Sequence, residues 1–192
     1  MRDLLRLAVC VAPLAAMAPR QLPGQEPTTV ILVRHAERSA EAGADPGLSS
    51  AGVARAAALA EALVDARVSA IVTSQFRRAQ ETAAPLARAL GLTPEVVQAG
   101  GGVSTAAHVT AVADLIRGRY MGRTVLVVGH SNTVPAIVTA LGGPVLQPLC
   151  EGEFANLFVL TLRGDGASLV RGTVGANDPP SASDCRRPAM DR

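Results

Sequence analysis

Lysine is absent from this chain, and so is tryptophan. All 18 basic residues are arginine, so the presence of an arginine carries no information and only its placement does. Aromatic residues make up 2%, one Tyr and three Phe, which leaves the core to Ala, Val, Leu and Ile. The net charge of +2 is too small to argue for a nucleic-acid partner. No internal repeat is evident, and no apolar run reaches the about 20 residues that span a bilayer. What remains is 192 residues, 48% hydrophobic and 18% charged. That is a globular composition with room for one core.

The N-terminus reads as a targeting segment. Arg2 and Arg6 form a basic start, Leu7 to Ala16 is mostly apolar, and Ala16-Met17-Ala18 is a small-x-small cleavage pattern. Removal is expected after Ala18, which makes the mature protein periplasmic or secreted, with no stable membrane insertion. The alternative is an uncleaved anchor or a misplaced start. Residues 19–27, with three prolines, read as a linker. Cys10 leaves with the leader, so Cys150 and Cys185 remain. An even pair in an oxidising compartment is a disulfide candidate, with two free thiols as the alternative. The tail over residues 175–192 is polar and Pro-rich, and is expected to be loose unless that bridge ties it down.

Between these ends, apolar runs alternate with helical patterns. Val30-Ile31-Leu32-Val33 reads as a strand buried on both faces. Ser49 or Ser50 can cap a helix with Val53, Ala57, Ala60 and Val64 on one face. Val68 to Thr73 is a second strand, followed by a helix from Arg77 to Leu90 that Gly91 closes and Pro85 should kink or interrupt. Thr93 to Val97 is a weaker strand, and Ala106 to Arg117 a third helix. Thr124 to Val128 is a strong strand, and Val134 to Leu141 a helix with Pro135 in its first turn. Asn156 to Leu162 and Ser168 to Val174 form a hairpin around Arg163-Gly164-Asp165-Gly166. The expected fold is α/β, three-layered, with a mainly parallel sheet flanked by helices, as one domain over residues 28–174.

Three buried strands end in polar residues. The first delivers Arg34, His35 and Arg38, the second Arg77 or Arg78, and the third His130 with Ser131 and Asn132 at a helix start. Parallel neighbours would bring these groups to one sheet edge, where ligands bind in open α/β sheets. Two His among several Arg form a cationic pocket suited to an anion with several oxygens. Nearby guanidiniums disfavour protonation of His35, and a neutral imidazole is a nucleophile. Metal binding is the rival, but three Arg would repel a cation and no further ligand stands at ligand spacing.

These residues resemble the motifs of the histidine phosphatase superfamily, also called the phosphoglycerate mutase-like or histidine acid phosphatase superfamily. Arg34-His35-Ala36-Glu37-Arg38 is similar to its R-H-G-x-R motif. Thr73-Ser74-Gln75-Phe76-Arg77-Arg78-Ala79-Gln80-Glu81-Thr82 is similar to its second, S-x-x-x-R-A-x-x-T motif, and Gly129-His130-Ser131-Asn132 to its third. The resemblance implies that His35 becomes phosphohistidine, that His130 donates to the transferring phosphoryl group, and that Arg34, Arg38 and Arg78 bind its oxygens. It implies no metal or organic cofactor. Its substrate would be a small phosphorylated molecule or a phosphoprotein, as a phosphomonoester or phosphoramidate.

Two departures stand out. Ala36 replaces the usual Gly, and no general acid occupies its usual place. The mutase-branch Glu falls where this chain has Gly100-Gly101-Gly102, and the phytase-branch Asp where it has Ser131. Glu37, Glu95, Glu151 and Glu153 are the carboxylates in reach, with Glu37 a weak candidate. Without an acid, rates on poor leaving groups should fall by about 10²–10⁴-fold. The rival class is a catalytically silent phospholigand-binding module on the same scaffold. Specificity is expected from the loops Ala40–Leu48, Ala99–Ala107 and Leu146–Phe154.

Overall fold

A computed structural model describes residues 26–41, 43–164, 166–180 and 185. The expected leader, Cys10 and most of the linker lie outside the described residues. No described helix is long and apolar enough to cross a membrane.

Among the described residues six strands form one sheet: β1 (Thr28–Arg34), β2 (Val68–Thr73), β3 (Glu95–Val96), β4 (Thr124–Gly129), β5 (Asn156–Arg163) and β6 (Gly166–Thr173). Their order is β3-β2-β4-β1-β5-β6. The first four run parallel, and β5 and β6 add an antiparallel hairpin beside β1. Four helices connect them: α1 (Ser50–Leu63), α2 (Arg77–Leu90), α3 (Thr105–Arg119) and α4 (Thr133–Ala140).

The alternation of side chains along a strand builds three layers. Ile31 and Val33 of β1, with Ile71, Leu126 and Val128, pack under α1 and α2 through Leu59, Leu63, Ala83 and Leu86. Val30 and Leu32, with Val72, Val125 and Val127, pack on α3 and α4 through Val112, Ile116, Ile137 and Val138. Each such side chain removed from water contributes about 1.5–3 kcal/mol. The β-branched run at Val30–Val33 is therefore central because both its faces are covered.

The helix ends show the expected chemistry. Ser49, rather than Ser50, caps α1 by accepting from the Gly52 amide at 3.1 Å. Gly91 closes α2 in the left-handed conformation (φ +64°) that a side chain would disfavour. Pro85 does not interrupt α2: it removes the helical bond to the Glu81 carbonyl, and the helix continues to Leu90. The third strand shrinks to two residues, and α3 starts a residue earlier than its apolar stripe, on a Ser104 cap.

Candidate active site

Register brings three strand ends level. Arg34 lies beside Gly129 across β1 and β4, and Thr73 beside Val128 across β2 and β4. The next residues are His35, His130 and Ser74, spaced by the sheet's own about 4.8 Å strand separation. The His35 amide still donates to the Gly129 carbonyl at 2.9 Å, and the two imidazole rings stand edge to face with centroids 5.3 Å apart. Around them opens a cavity of about 460 Å³.

His35 is held in one tautomer. Its Nδ1 lies 2.8 Å from the Ala36 carbonyl, which can only accept, so Nδ1 carries the hydrogen and Nε2 the lone pair. Arg78 Nε donates to that lone pair at 3.2 Å. Thr82 of α2 braces the turn, accepting from the Ala36 amide at 2.9 Å and donating to the Arg78 carbonyl at 2.6 Å. Burial is the main force keeping His35 neutral. With help from the charges of His130, Arg34 and Arg78, it lowers the pKa to about 3, against the opposing Ala36 bond. The guanidiniums that the sequence brings to mind are secondary. His130 is lowered to about 4, again first by burial, then by Arg78, His108 and Arg34. Its Nε2 shares a hydrogen bond with Ser74 Oγ at 2.9 Å, and its amide donates to Thr133 Oγ1 at 2.9 Å.

The arginines differ in job. Arg34 is buried, and its Nη1 donates to the carbonyls of Cys150, Glu151 and Glu153 at 2.8, 2.9 and 3.2 Å. Its plane lies 4.1 Å over the Phe154 ring, and its buried Nε has no hydrogen-bond partner among the described residues. Arg78 stacks 4.4 Å over Phe76 and reaches Asp45 at 3.6 Å. Two of the chain's three Phe rings thus support site guanidiniums, an attraction of the cation–π kind. Arg38 lines the cavity from an exposed position. Arg77 turns outward to pair with Glu81 at 3.1 Å, leaving Arg78 as the inward member of the pair.

Of the four carboxylates, Glu151 alone lines the cavity. Glu37 is locked on Arg55, which donates to it from Nε and Nη2 at 2.7–3.1 Å. Burial pushes its carboxyl up, but the Arg55 bonds outweigh that and hold it below the ordinary range. It is an ionised brace, and the acid role does not suit this geometry. Glu95 pairs with Arg119 at 2.8 Å and accepts from Tyr120 at 2.6 Å. Glu153 is buried and accepts from the Cys150 amide at 2.7 Å.

Two features of the site, His108 and the Asp178–Arg55 clasp, escape the sequence reading. His108 of α3 lines the cavity with its Nδ1 on the Gln98 carbonyl at 2.9 Å, so all three histidines of the chain meet there. The signal was present: His108 sits four residues before Val112 on the buried stripe of α3. Asp178, in the tail expected to be loose, accepts from the Phe154 and Ala155 amides at 3.0–3.1 Å and pairs with Arg55 at 3.7 Å. Arg55 also donates to the carbonyls of Val174 and Ala176. Cys150 and Cys185 are bridged, with Cα atoms 5.7 Å apart. Among the described residues, no group of three or more His, Cys, Asp or Glu is placed to hold a metal ion.

Comparison with known proteins follows the same lines. The family model of the histidine phosphatase superfamily (branch 1) matches residues 30–99. No curated protein matches the chain in sequence. Among solved structures, the protein histidine phosphatase SixA complexed with tungstate is 20% identical, with a TM-score of 0.55 over 76% of this chain and 96% of that one. Mycobacterial glucosyl-3-phosphoglycerate phosphatase is 20% identical, with a TM-score of 0.57 over 79% and 100%. A structure described as mycobacterial hydrolase 2 is 21% identical, with a TM-score of 0.60 over 83% and 94%. At these identities the likeness is one of fold, and the family model adds the sequence of the first two strand ends. Over residues 30–99 the chain is thus similar to the histidine phosphatase superfamily, and its α/β fold is that of the solved phosphatases.

Proposed function

We propose that this protein is a phosphohydrolase that passes a phosphoryl group through His35. The observation that carries the reading is the His35 ring itself. Its Nδ1 hydrogen is spent on Ala36, its Nε2 lone pair faces a guanidinium, and burial keeps it neutral. That is the state a nitrogen nucleophile needs. The substrate phosphoryl group takes Arg78 and the remaining donors of Arg34 and Arg38 as partners for its oxygens. The Arg34 Nε that has no hydrogen-bond partner among the described residues is consistent with an oxyanion there. His35 Nε2 attacks phosphorus and the leaving oxygen departs. Water then attacks the phosphohistidine, the N–P electron pair returns to Nε2, and phosphate is released. His130 donates to an equatorial oxygen as charge spreads over it.

The substrate class is a small phosphomonoester or phosphoramidate. The about 460 Å³ cavity and its short, weakly basic flanking loops fit one phosphoryl group better than many. The setting is outside the cytosol. The Cys150–Cys185 bridge supports it, because such bonds persist in oxidising compartments.

The test is turnover of an aryl phosphate with a chelator present. Wild type should hydrolyse it undiminished, His35→Ala should lose at least about 10³-fold, and acid-labile phosphate should appear on His35. Turnover that survives in His35→Ala would overturn the reading, and so would a wild type that binds phosphate without turning substrate over.

A further inference from the structure

A leaving oxygen needs a proton, and one acidic side chain stands in the cavity wall. Glu151 Oε2 lies 3.5 Å from Arg34 Nη2, and its Oε1 lies 3.9 Å from Arg38 Nη2. Its carboxylate thus lies against two of the guanidiniums that the proposed function gives to the phosphoryl oxygens. Its backbone is fixed, because the Glu151 carbonyl accepts from Arg34 and the preceding residue is bridged to Cys185. Its side chain is 78% exposed and therefore able to swing. The other carboxylates in reach are committed elsewhere: Glu37 to Arg55, Glu95 to Arg119 and Tyr120, Glu153 to the Cys150 amide, and Asp45 to the Arg77 amide and Arg78.

From this arrangement we infer that Glu151 is the proton donor and acceptor of the reaction, released for that role when the substrate phosphoryl group replaces it on Arg34 and Arg38. The inference rests on the phosphohydrolase reading. A carboxylate and a phosphate dianion brought to the same two guanidiniums repel, and one proton shared between them relieves that repulsion. In the first step His35 Nε2 bonds to phosphorus, the P–O bond breaks, and the Glu151 carboxyl gives its proton to the departing oxygen. In the second step water bonds to phosphorus, the N–P bond breaks toward Nε2, and the water's proton returns to the Glu151 carboxylate. His35 Nδ1 keeps its hydrogen on the Ala36 carbonyl throughout.

The experiment compares kcat/KM for ethyl phosphate and 4-nitrophenyl phosphate in wild type, Glu151→Gln and His108→Gln. The ratio of two substrates in one preparation does not depend on how much of it is folded. In Glu151→Gln the ethyl phosphate rate should fall by about 10²–10⁴-fold while the 4-nitrophenyl rate loses less than about tenfold, since nitrophenolate leaves without a proton. Inorganic phosphate should bind the variant more tightly than wild type, because a competing carboxylate is gone. Equal loss on both substrates, no loss on either, or weakened phosphate binding would each overturn the inference. A leaving-group-dependent loss in His108→Gln but not in Glu151→Gln would hand the role to His108. If wild type turns over neither substrate, the phosphohydrolase reading falls and this inference with it. Turnover with an unchanged ratio in Glu151→Gln removes Glu151 alone.

Discussion

His35 is buried without charge, and that choice has a thermodynamic cost. Unfolded, its imidazole takes up a proton near pH 6.5; folded, it does so only near pH 3. Between those values the unfolded chain binds a proton that the folded chain refuses, so stability rises with pH and is lost as pH falls below about 6.5. For His35 the loss between pH 7 and pH 5 is about 2 kcal/mol, and His130 contributes with the same sign. Urea unfolding at the two pH values measures it. His35→Gln should remove a large part of the slope; an unchanged slope would mean that His35 is protonated in the folded protein. The site residues differ in how legible they were from sequence. Arg34, His35, Arg78 and His130 could be read because each follows a buried strand or opens the next helix. His108 left a signal in its place on the α3 stripe, but a histidine there looks like any buried polar residue until the sheet is assembled. Glu37 misled for the opposite reason: nearness in sequence to His35 hid its commitment to Arg55, 18 residues away.

At the scale of elements, the sheet was written in the chain and the wall opposite it was not. Alternating apolar runs specify β1, β2 and β4 and the layers that cover them. The segment from Leu146 to Ala155 has no regular structure to announce it, yet it supplies the carbonyls that hold Arg34 and the carboxylate that faces Arg38. It is held by contacts from far along the chain: the Cys185 sulfur, the Asp178 carboxylate, and the Leu149 amide on the Ser131 carbonyl. Reduction should therefore act on the site as well as on the fold. Opening a bridge with a sequence separation of 35 removes about 4 kcal/mol in the loop-entropy account. Urea unfolding with and without reductant, or in Cys185→Ser, measures that term. Under conditions where the reduced protein stays folded, calorimetry should show weaker binding of inorganic phosphate. Phosphate affinity indifferent to the bridge would mean that Arg34 is fixed by the sheet alone.

For the whole molecule, the apolar N-terminal stretch before Ala18 and the Cys150–Cys185 bridge lead to one expectation about location. A protein whose pocket wall is fastened by a disulfide belongs where thiols oxidise. Fractionation of producing cells should place it in the periplasm or the medium, with a mature N-terminus at Pro19. Recovery of the intact chain in the cytosol with both thiols reduced would count against that location.

The clasp on the Arg34 wall has a consequence in time. Asp178 and Cys185 come after all six strands and all four helices. A chain that leaves a ribosome or a membrane pore N-terminus first can lay down its sheet and seat its histidines before either residue has emerged. The wall that steadies Arg34 and carries Glu151 waits for both. On the proposed function, catalytic competence would be the last property the polypeptide acquires, and a chain still in transit would be inert toward the phosphorylated molecules it passes.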